Sequence, residues 1–172
     1  MSRSVDIRRM TLTALMAALV FVLTRSVQIA TPVQGYIHLG DAGIVFSALA
    51  FGPWVASVAG GLGTALADIT SGYAQWAIFS LLIHGFQGLA VGLIVRREAN
   101  IARIALSVVV SVLIVVGGYF VAGSILMGMA NAVLELLPNT IQGVSGGLIG
   151  MPLYLAVRRA YPPLTRYVRN SS

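Results

Sequence analysis

Long apolar segments alternate with short polar ones along the whole chain. The apolar segments cover residues 11–29, 42–51, 54–69, 75–95, 104–125 and 140–157. Four of them approach or exceed the roughly 20 residues that a helix needs to cross the hydrocarbon core of a bilayer. The second and third are shorter and meet at Gly52-Pro53, a pair typical of a turn or a helix break. The pattern predicts membrane helices, and it leaves open whether residues 42–69 form one kinked helix or two.

The arginines decide between these alternatives. Arginine and lysine accumulate on the cytoplasmic side of membrane proteins. If residues 42–69 cross twice, all but Arg25 of the 11 basic residues share the side of the N-terminus. We therefore predict an all-α integral membrane protein, a bundle of six transmembrane helices that forms a single membrane domain over residues 1–172, with both termini cytoplasmic. The arginines on the predicted cytoplasmic side are Arg3, Arg8, Arg9, Arg96, Arg97, Arg103, Arg158, Arg159, Arg166 and Arg169.

Composition agrees with a membrane location and excludes several functional classes. Hydrophobic residues make up 58% of the chain and charged residues only 9%, whereas soluble domains carry about 25% charged residues. All basic residues are arginine, so no phosphate-binding loop with its required lysine is present. Cysteine is absent, which excludes disulfides and thiolate chemistry. We read the net charge of +6 as a topology signal, and not as a sign of nucleic-acid binding.

Polar side chains gather near the predicted outer ends of several segments. Such groups are costly in lipid, so we expect them to face the bundle interior or a watery cavity. Trp76, Ser80, His84 and Gln87 follow one another at spacings of four, four and three, which places them on one helix face. Their convergence predicts a pocket for a small, flat, mostly neutral ligand. The candidate binding residues are His38, Asp41, Asp68, Gln75, Trp76, His84, Gln87, Asn131, Glu135 and Asn139.

Each candidate also has a purely structural interpretation. His84 and Gln87 can hydrogen-bond to a neighbouring helix as packing contacts. Asp41 and Asp68 can cap helix N-termini or solvate a surface loop. Trp76 can be an aromatic residue of the membrane interface.

The short segment after residue 41 affects the loop that precedes it. A helix of 10–12 residues spans only about 15–18 Å, against a hydrocarbon core of about 30 Å. We therefore expect the loop from Gly35 to Asp41 to be drawn into the outer half of the bundle. His38 and Asp41 then contact the ligand or hold the loop, and the sequence leaves these two roles open.

Neither catalysis nor metal binding is predicted. Residues 143–146 read GVSG and match the GxSG of intramembrane serine proteases, but no histidine that could act as the base follows His84. His38 and His84 stand far apart in the sequence, so we read no metal-binding cluster. We expect no enzyme and no cofactor.

Several motifs, in their order along the chain, resemble the substrate-binding S components of energy-coupling factor (ECF) vitamin transporters. The resemblance is strongest to the riboflavin-type and hydroxymethylpyrimidine-type branch and covers about half of the chain. In many relatives lysine stands at the position of His84, which is a departure here. The matching motifs are HLGD at 38–41, FGP at 51–53, GGLGTALAD at 60–68, SGYAQW at 71–76, HGFQGLAVGL at 84–93 and NTIQGVSGGLIGMPLY at 139–154.

The resemblance implies the function and the partners. It implies six helices in the plasma membrane of a prokaryote, an outer site for a small water-soluble vitamin or precursor, and a membrane coupling (T) subunit with two cytoplasmic ATPases as partners. The class of ligand expected is hydroxymethylpyrimidine, pyridoxine or riboflavin. Ala14 and Ala18 match the AxxxA spacing with which S components contact the coupling subunit. The bilayer is a partner, and nucleic acid is not.

Two other functions remain as alternatives. A self-sufficient, proton-coupled secondary transporter would use Asp68, Glu135 and His84 as a proton relay. A structural assembly subunit would bind no small molecule.

Overall fold

Helices account for most of the chain, and they extend beyond the apolar segments by only a few residues. The computed structural model describes residues 7–96 and 100–162. A 3₁₀ turn at Ala74–Trp76 leads into the fourth helix. The elements are α1 Ile7–Ser26, β1 Gln28–Ala30, β2 Tyr36–His38, α2 Gly40–Phe51, α3 Pro53–Thr70, α4 Ala77–Val95, α5 Ile101–Met127, α6 Met129–Leu134 and α7 Leu136–Ala160.

The chain breaks at Gly52 and Pro53, so residues 42–69 form two helices and not one kinked helix. Gly52 has φ 88°, a conformation that residues with a side chain rarely adopt. Pro53 stands in the first turn of α3, where its missing N–H costs no hydrogen bond. Every residue from Gly40 to Ala50 is buried, which puts α2 in the centre of the bundle. Among the described helices, α1, α4 with its 3₁₀ turn, α5 and α7 are long and apolar enough to cross a membrane.

Consecutive long helices run in opposite directions. A core cluster at one end of the bundle brings together Val95 at the end of α4, Ile104 at the start of α5 and Tyr154 near the end of α7. Met16, from the N-terminal half of α1, belongs to the same cluster. We call this the arginine end, because the arginines next to these helix ends lie there. They are Arg8, Arg9, Arg96, Arg103, Arg158 and Arg159.

Four of the arginines used to predict the topology lie outside the described residues. They are Arg3, Arg97, Arg166 and Arg169.

Glycines allow the helices to approach closely. On α7, Gly143 and Gly147 pack against α5, and Gly146 and Gly150 pack against α2. On α4, a Cβ atom at Gly88 would overlap the carbonyl group of Ala56 on α3. The small-residue pairs of α7 therefore serve packing inside the chain.

Replacing Gly88 with alanine should lower the stability of the bundle. The added methyl group meets backbone atoms of α3 that cannot rotate away, and overpacking of this kind costs about 1–3 kcal/mol. The midpoint of thermal unfolding in detergent measures the effect. Gly117→Ala on α5 is the matched control, because no atom lies within 4 Å of the added Cβ. An equal loss of stability in both variants would contradict the close α3–α4 contact.

A small β-hairpin covers the end opposite the arginines, which we call the hairpin end. Strands β1 and β2 pair antiparallel, with Gln28 opposite His38 and Ala30 opposite Tyr36. The hairpin turns through Gln34, which has φ 56°. The sequence predicts a loop here, because strands of three residues are too short for an alternating pattern to stand out. Helix α6, with six residues, is also absent from the sequence-based prediction.

Candidate ligand-binding site

A cavity of about 30 Å³ lies beneath the hairpin, between the hairpin and the helix ends. We call it the hairpin cavity. Aromatic rings form part of its wall, and carboxylate, amide and hydroxyl groups form the rest. Its lining residues are Gly35, Tyr36, His38, Asp68, Trp76, Ser80, Tyr119, Glu135 and Asn139.

Three hydrogen bonds hold the hairpin over this cavity, in addition to those that Gln28 Nε2 donates to Ser71 Oγ and the His38 amide donates to Gln142 Oε1. The first two involve acidic side chains: Thr31 Oγ1 donates to Glu135 Oε1 at 2.5 Å, and the Tyr36 hydroxyl donates to Asp68 Oδ1 at 2.5 Å. In the third, the indole nitrogen of Trp76 donates to the backbone carbonyl of the hairpin turn at 3.1 Å. These bonds tie the hairpin to α3, to the 3₁₀ turn before α4 and to the residue that precedes α7.

Burial fixes the protonation of the two titratable side chains on β2. It raises the pKa of the Tyr36 hydroxyl, and the neighbouring Asp68 raises it further, so Tyr36 keeps its proton and acts as a donor. Burial also lowers the pKa of His38 well below its ordinary value, with a smaller contribution from His84. His38 is therefore neutral near pH 7, and its Nδ1 accepts a hydrogen bond from the Gly40 amide at 3.1 Å.

Below the cavity, a chain of side-chain hydrogen bonds joins α4 to α5. The Tyr119 hydroxyl lies 2.6 Å from Ser80 Oγ and 3.1 Å from His84 Nε2. His84 Nδ1 lies 2.6 Å from Gln87 Oε1, and Gln87 Nε2 donates to Ser111 Oγ at 2.8 Å. The polar face predicted on α4 is confirmed, since Trp76, Ser80, His84 and Gln87 are all buried.

Asp41 is completely buried and accepts no hydrogen bond. Its Oδ1 lies 3.3 Å from His84 Nδ1, but the shorter contact of that nitrogen is to Gln87 Oε1. Neither carboxylate oxygen of Asp41 has a hydrogen-bond partner. On the opposite helix, Gly146 packs against the Cβ of Asp41, so α7 closes this side of the carboxylate.

The structure divides the predicted binding residues into three groups. The first group lines the hairpin cavity and the second is buried next to it. Gln75 and Asn131 form the third group: both are exposed, and Asn131 donates to the Met127 carbonyl of the preceding turn. Neither lines the cavity, so we do not retain them as candidate ligand contacts. The first group is His38, Asp68, Trp76, Glu135 and Asn139, and the second is Asp41, His84 and Gln87.

Four residues that line the cavity are missing from the predicted set: Gly35, Tyr36, Ser80 and Tyr119. The Tyr36 hydroxyl contacts Asp68, the Tyr119 hydroxyl contacts Ser80 and His84, and Ser80 lies on the polar face of α4. The four-residue spacing places Ser80 on the same helix face as Trp76 and His84, but Ser80 is not among the predicted binding residues. The place of Tyr119, in the middle of a 27-residue apolar helix, gave no such signal.

The expectation that the two histidines are isolated was wrong. The ring centroids of His38 and His84 lie 5.4 Å apart, and Asp41 completes a group whose potential ligand atoms all lie within 4.8 Å of one another. The two histidines are 46 positions apart in the chain, so only the fold brings them together.

One face of α1 remains free within the described chain. Ala14 and Ala18 are both exposed, and so is Leu15 between them, with 58% of its surface accessible. In the candidate membrane span of α1, only 17% of the residues are buried. The predicted docking face is therefore accessible to a partner.

Comparisons with known proteins agree with one another. The family model described as the ECF-type riboflavin transporter S component matches residues 4–159. The thiamine precursor transporter HmpT of Lactococcus lactis is 33% identical over 156 residues, which cover 90% of either chain. An uncharacterized protein from the gap 3′ region of Pyrococcus woesei is 39% identical over 146 residues, 84% of this chain and 98% of the relative. In fold, the chain resembles the crystal structure of an S component for biotin from an ECF-type ABC transporter, with a TM-score of 0.60 and 17% sequence identity. The match covers 89% of this chain and 94% of that S component.

Proposed function

This chain belongs to the family of S components of ECF-type riboflavin transporters, and we propose that its hairpin cavity binds a phosphate-free vitamin precursor of the hydroxymethylpyrimidine class. It is a membrane-embedded, substrate-binding subunit for vitamin or precursor uptake. The secondary-transporter alternative is not favoured by this family membership. The proposal of the ligand rests on one observation, the kind of side chains that line the cavity.

The cavity offers acceptors and aromatic surfaces, and no permanent positive charge. Two carboxylates, Asp68 and Glu135, and the amide of Asn139 can accept hydrogen bonds from amino and hydroxyl groups of a ligand. Trp76 and Tyr119, with ring centroids 5.9 Å apart, offer faces for a planar ring. An aminopyrimidine that carries a hydroxymethyl group has these features. HmpT, a thiamine precursor transporter by name, is a relative that supports the same class.

Ligand entry requires the hairpin to move. Sites for small molecules typically have volumes of about 300–1,000 Å³, which is far more than the cavity under the closed hairpin. We propose that the three hydrogen bonds from Thr31, Tyr36 and Trp76 break when the hairpin opens, and that they form again over the bound ligand. The hairpin is then the lid, and His38 is the point at which the lid reaches the bundle interior.

We propose six crossings in a single membrane domain, with both termini and the arginine end in the cytoplasm and the hairpin end outside, in the plasma membrane of a prokaryote. The alternating helix directions and the arginines at one end support this topology. We further propose that Ala14 and Ala18 dock on a membrane T subunit, that two ATPases supply the energy, and that the chain itself catalyses no reaction.

A thermal-shift panel tests the proposed ligand. The purified protein is heated with hydroxymethylpyrimidine, its phosphate ester, thiamine, pyridoxine, pantothenate or riboflavin. A ligand at 100 times its dissociation constant stabilises the native state by about 2.7 kcal/mol. Hydroxymethylpyrimidine should raise the melting temperature, and its phosphate ester should bind at least about 100-fold more weakly, because like charges brought together in an interface cost several kcal/mol.

The panel also separates this proposal from others. Stabilisation by riboflavin but not by hydroxymethylpyrimidine would refute the proposed ligand class while leaving the family assignment intact. If the phosphate ester bound with the same affinity as hydroxymethylpyrimidine, the proposed role of Asp68 and Glu135 in excluding a phosphate would be refuted. Mass spectrometry of the protein purified without added ligand provides an independent identification of whatever it carries.

A further inference from the structure

Three buried polar side chains meet next to the hairpin cavity. His38 lies at the end of β2, Asp41 in the first turn of α2 and His84 in the middle of α4. His84 and Asp41 are completely buried and His38 is 7% exposed. One potential ligand atom from each side chain lies within 4.8 Å of the other two. We call this group the His–Asp cluster.

The carboxylate of Asp41 indicates that the cluster has a ligand. Both of its oxygens are buried and neither accepts a hydrogen bond. A buried carboxylate without partners is strongly unfavourable unless a proton, a positively charged side chain or a cation compensates it. None of the described arginines is available for this purpose, since they lie at the other end of the bundle, apart from the exposed Arg25. The compensation must therefore come from a proton, from His84 and the neighbouring Gln87 and Gln142 amides, or from a bound ion.

We propose that the His–Asp cluster binds one divalent late transition-metal ion, of the class of Zn²⁺, Co²⁺ or Ni²⁺. Imidazole nitrogens suit these ions better than they suit Mg²⁺ or Ca²⁺, which prefer oxygen ligands. Two histidines and one carboxylate form a ligand set found in zinc sites that keep a fourth position open. The two unpaired oxygens of Asp41 would then be satisfied by the ion.

Metal binding requires only small rearrangements. Nitrogen and oxygen ligands lie about 2.0–2.2 Å from Zn²⁺, so the three side chains must move closer by roughly 1 Å. His84 coordinates through Nδ1, which exchanges its hydrogen bond with Gln87 for the metal. Nδ1 donates to Gln87 Oε1 in the structure, so metal binding requires the other tautomer, in which the ring proton is on Nε2 and can be donated to the Tyr119 hydroxyl, 3.1 Å away. Such an outer hydrogen bond fixes the ring orientation in many metal sites. His38 has two ways to bind the ion. Its Nδ1 can give up the hydrogen bond from the Gly40 amide and bind the ion, or its Nε2 can bind the ion while that hydrogen bond stays.

The hairpin cavity provides the route for the ion. His38 belongs both to the cavity wall and to the cluster, so an ion that enters beneath the hairpin meets this side chain first. The inference does not depend on the identity of the organic ligand, because the cluster consists only of protein groups.

Cobalt binding tests the proposal directly. The full chain is purified with an affinity tag that contains no histidine, stripped with a chelator and titrated with Co²⁺. Because the chain has only two histidines, any imidazole coordination must come from this cluster. We expect saturable binding of one Co²⁺ per chain, visible d–d absorption, and an X-ray absorption spectrum with two imidazoles in the first shell. No saturable binding, or a spectrum without imidazole, would overturn the inference.

Variants locate the site. Asp41→Asn and His84→Gln should each weaken Co²⁺ binding at least about tenfold. Asn131→Ala is the control, a polar side chain that is exposed and belongs neither to the cavity nor to the cluster, and it should bind Co²⁺ as the unchanged chain does. Thermal melting without metal shows whether each variant is folded. Undiminished Co²⁺ binding in folded Asp41→Asn would refute the site, whereas failure of the vitamin panel would leave it untouched.

Discussion

Replacing Ala14 with tryptophan should abolish uptake by cells while leaving ligand binding by the purified protein unchanged. Ala14 and Ala18 lie one turn apart on an exposed face of α1, where two small side chains allow a partner helix to approach closely. The indole ring would hold that helix away from the backbone of α1. The hairpin cavity lies at the far end of the bundle from the start of α1, so the ligand site should not change.

Leu113→Trp on α5 provides the matched control for this variant. Leu113 is 66% exposed, and α5 packs on α4, α6 and α7, away from α1. The same large ring is then added to another exposed, lipid-facing surface. Uptake of radiolabelled ligand and co-purification of the coupling subunit measure the outcome. Normal uptake with Ala14→Trp, or equal loss in both variants, would show that the alanine face is not the docking surface.

Removing the ring of Trp76 should weaken ligand binding about 5- to 150-fold. The substitution Trp76→Ala deletes an aromatic wall of the cavity and the hydrogen bond from the indole to the Gln34 carbonyl. Loss of a buried hydrogen-bonding partner alone costs about 1–3 kcal/mol, and each 1.4 kcal/mol is a factor of ten in affinity. Trp76→Phe keeps an aromatic ring but no hydrogen-bond donor, so its affinity for the ligand should lie between those of the unchanged chain and of Trp76→Ala.

The only other tryptophan of the chain supplies the control. Trp54 lies at the start of α3 and is 56% exposed, and Trp54→Ala should bind ligand with unchanged affinity. Tryptophan fluorescence adds a direct test of position. The ligand should change the emission of the unchanged chain and of Trp54→Ala, which retains Trp76, but not that of Trp76→Ala. The reverse pattern would place the ligand elsewhere.

A good part of the fold could be predicted from the sequence because lipid restricts what a chain can do. In a bilayer every backbone polar group must be paired within the protein, and an apolar run of about 20 residues achieves this by itself as a helix. The arginine pattern also required a break between α2 and α3. The structure confirms it at Gly52 and Pro53, two residues whose backbone properties make a helix end there.

The candidate site was predicted less completely. Residues that follow the helical period on one face, such as Trp76, His84 and Gln87, could be recognised because each segment carries its own periodicity. Gln75 and Asn131 stand next to buried positions in the chain but point outward. A difference of one residue turns a side chain by about 100°, and the exact rotation of a helix end depends on its neighbours.

The sequence by itself determined the apolar helices, their break, the family and the polar face of α4, because each depends on neighbouring residues or on the total charge at a helix end. Only the tertiary structure decided that Tyr36 and Tyr119 share a cavity and that His38, Asp41 and His84 form one cluster. These contacts join residues up to 83 positions apart. They arise from the close approach of α2, α4, α5 and α7, which depends on how the glycines of these helices pack together.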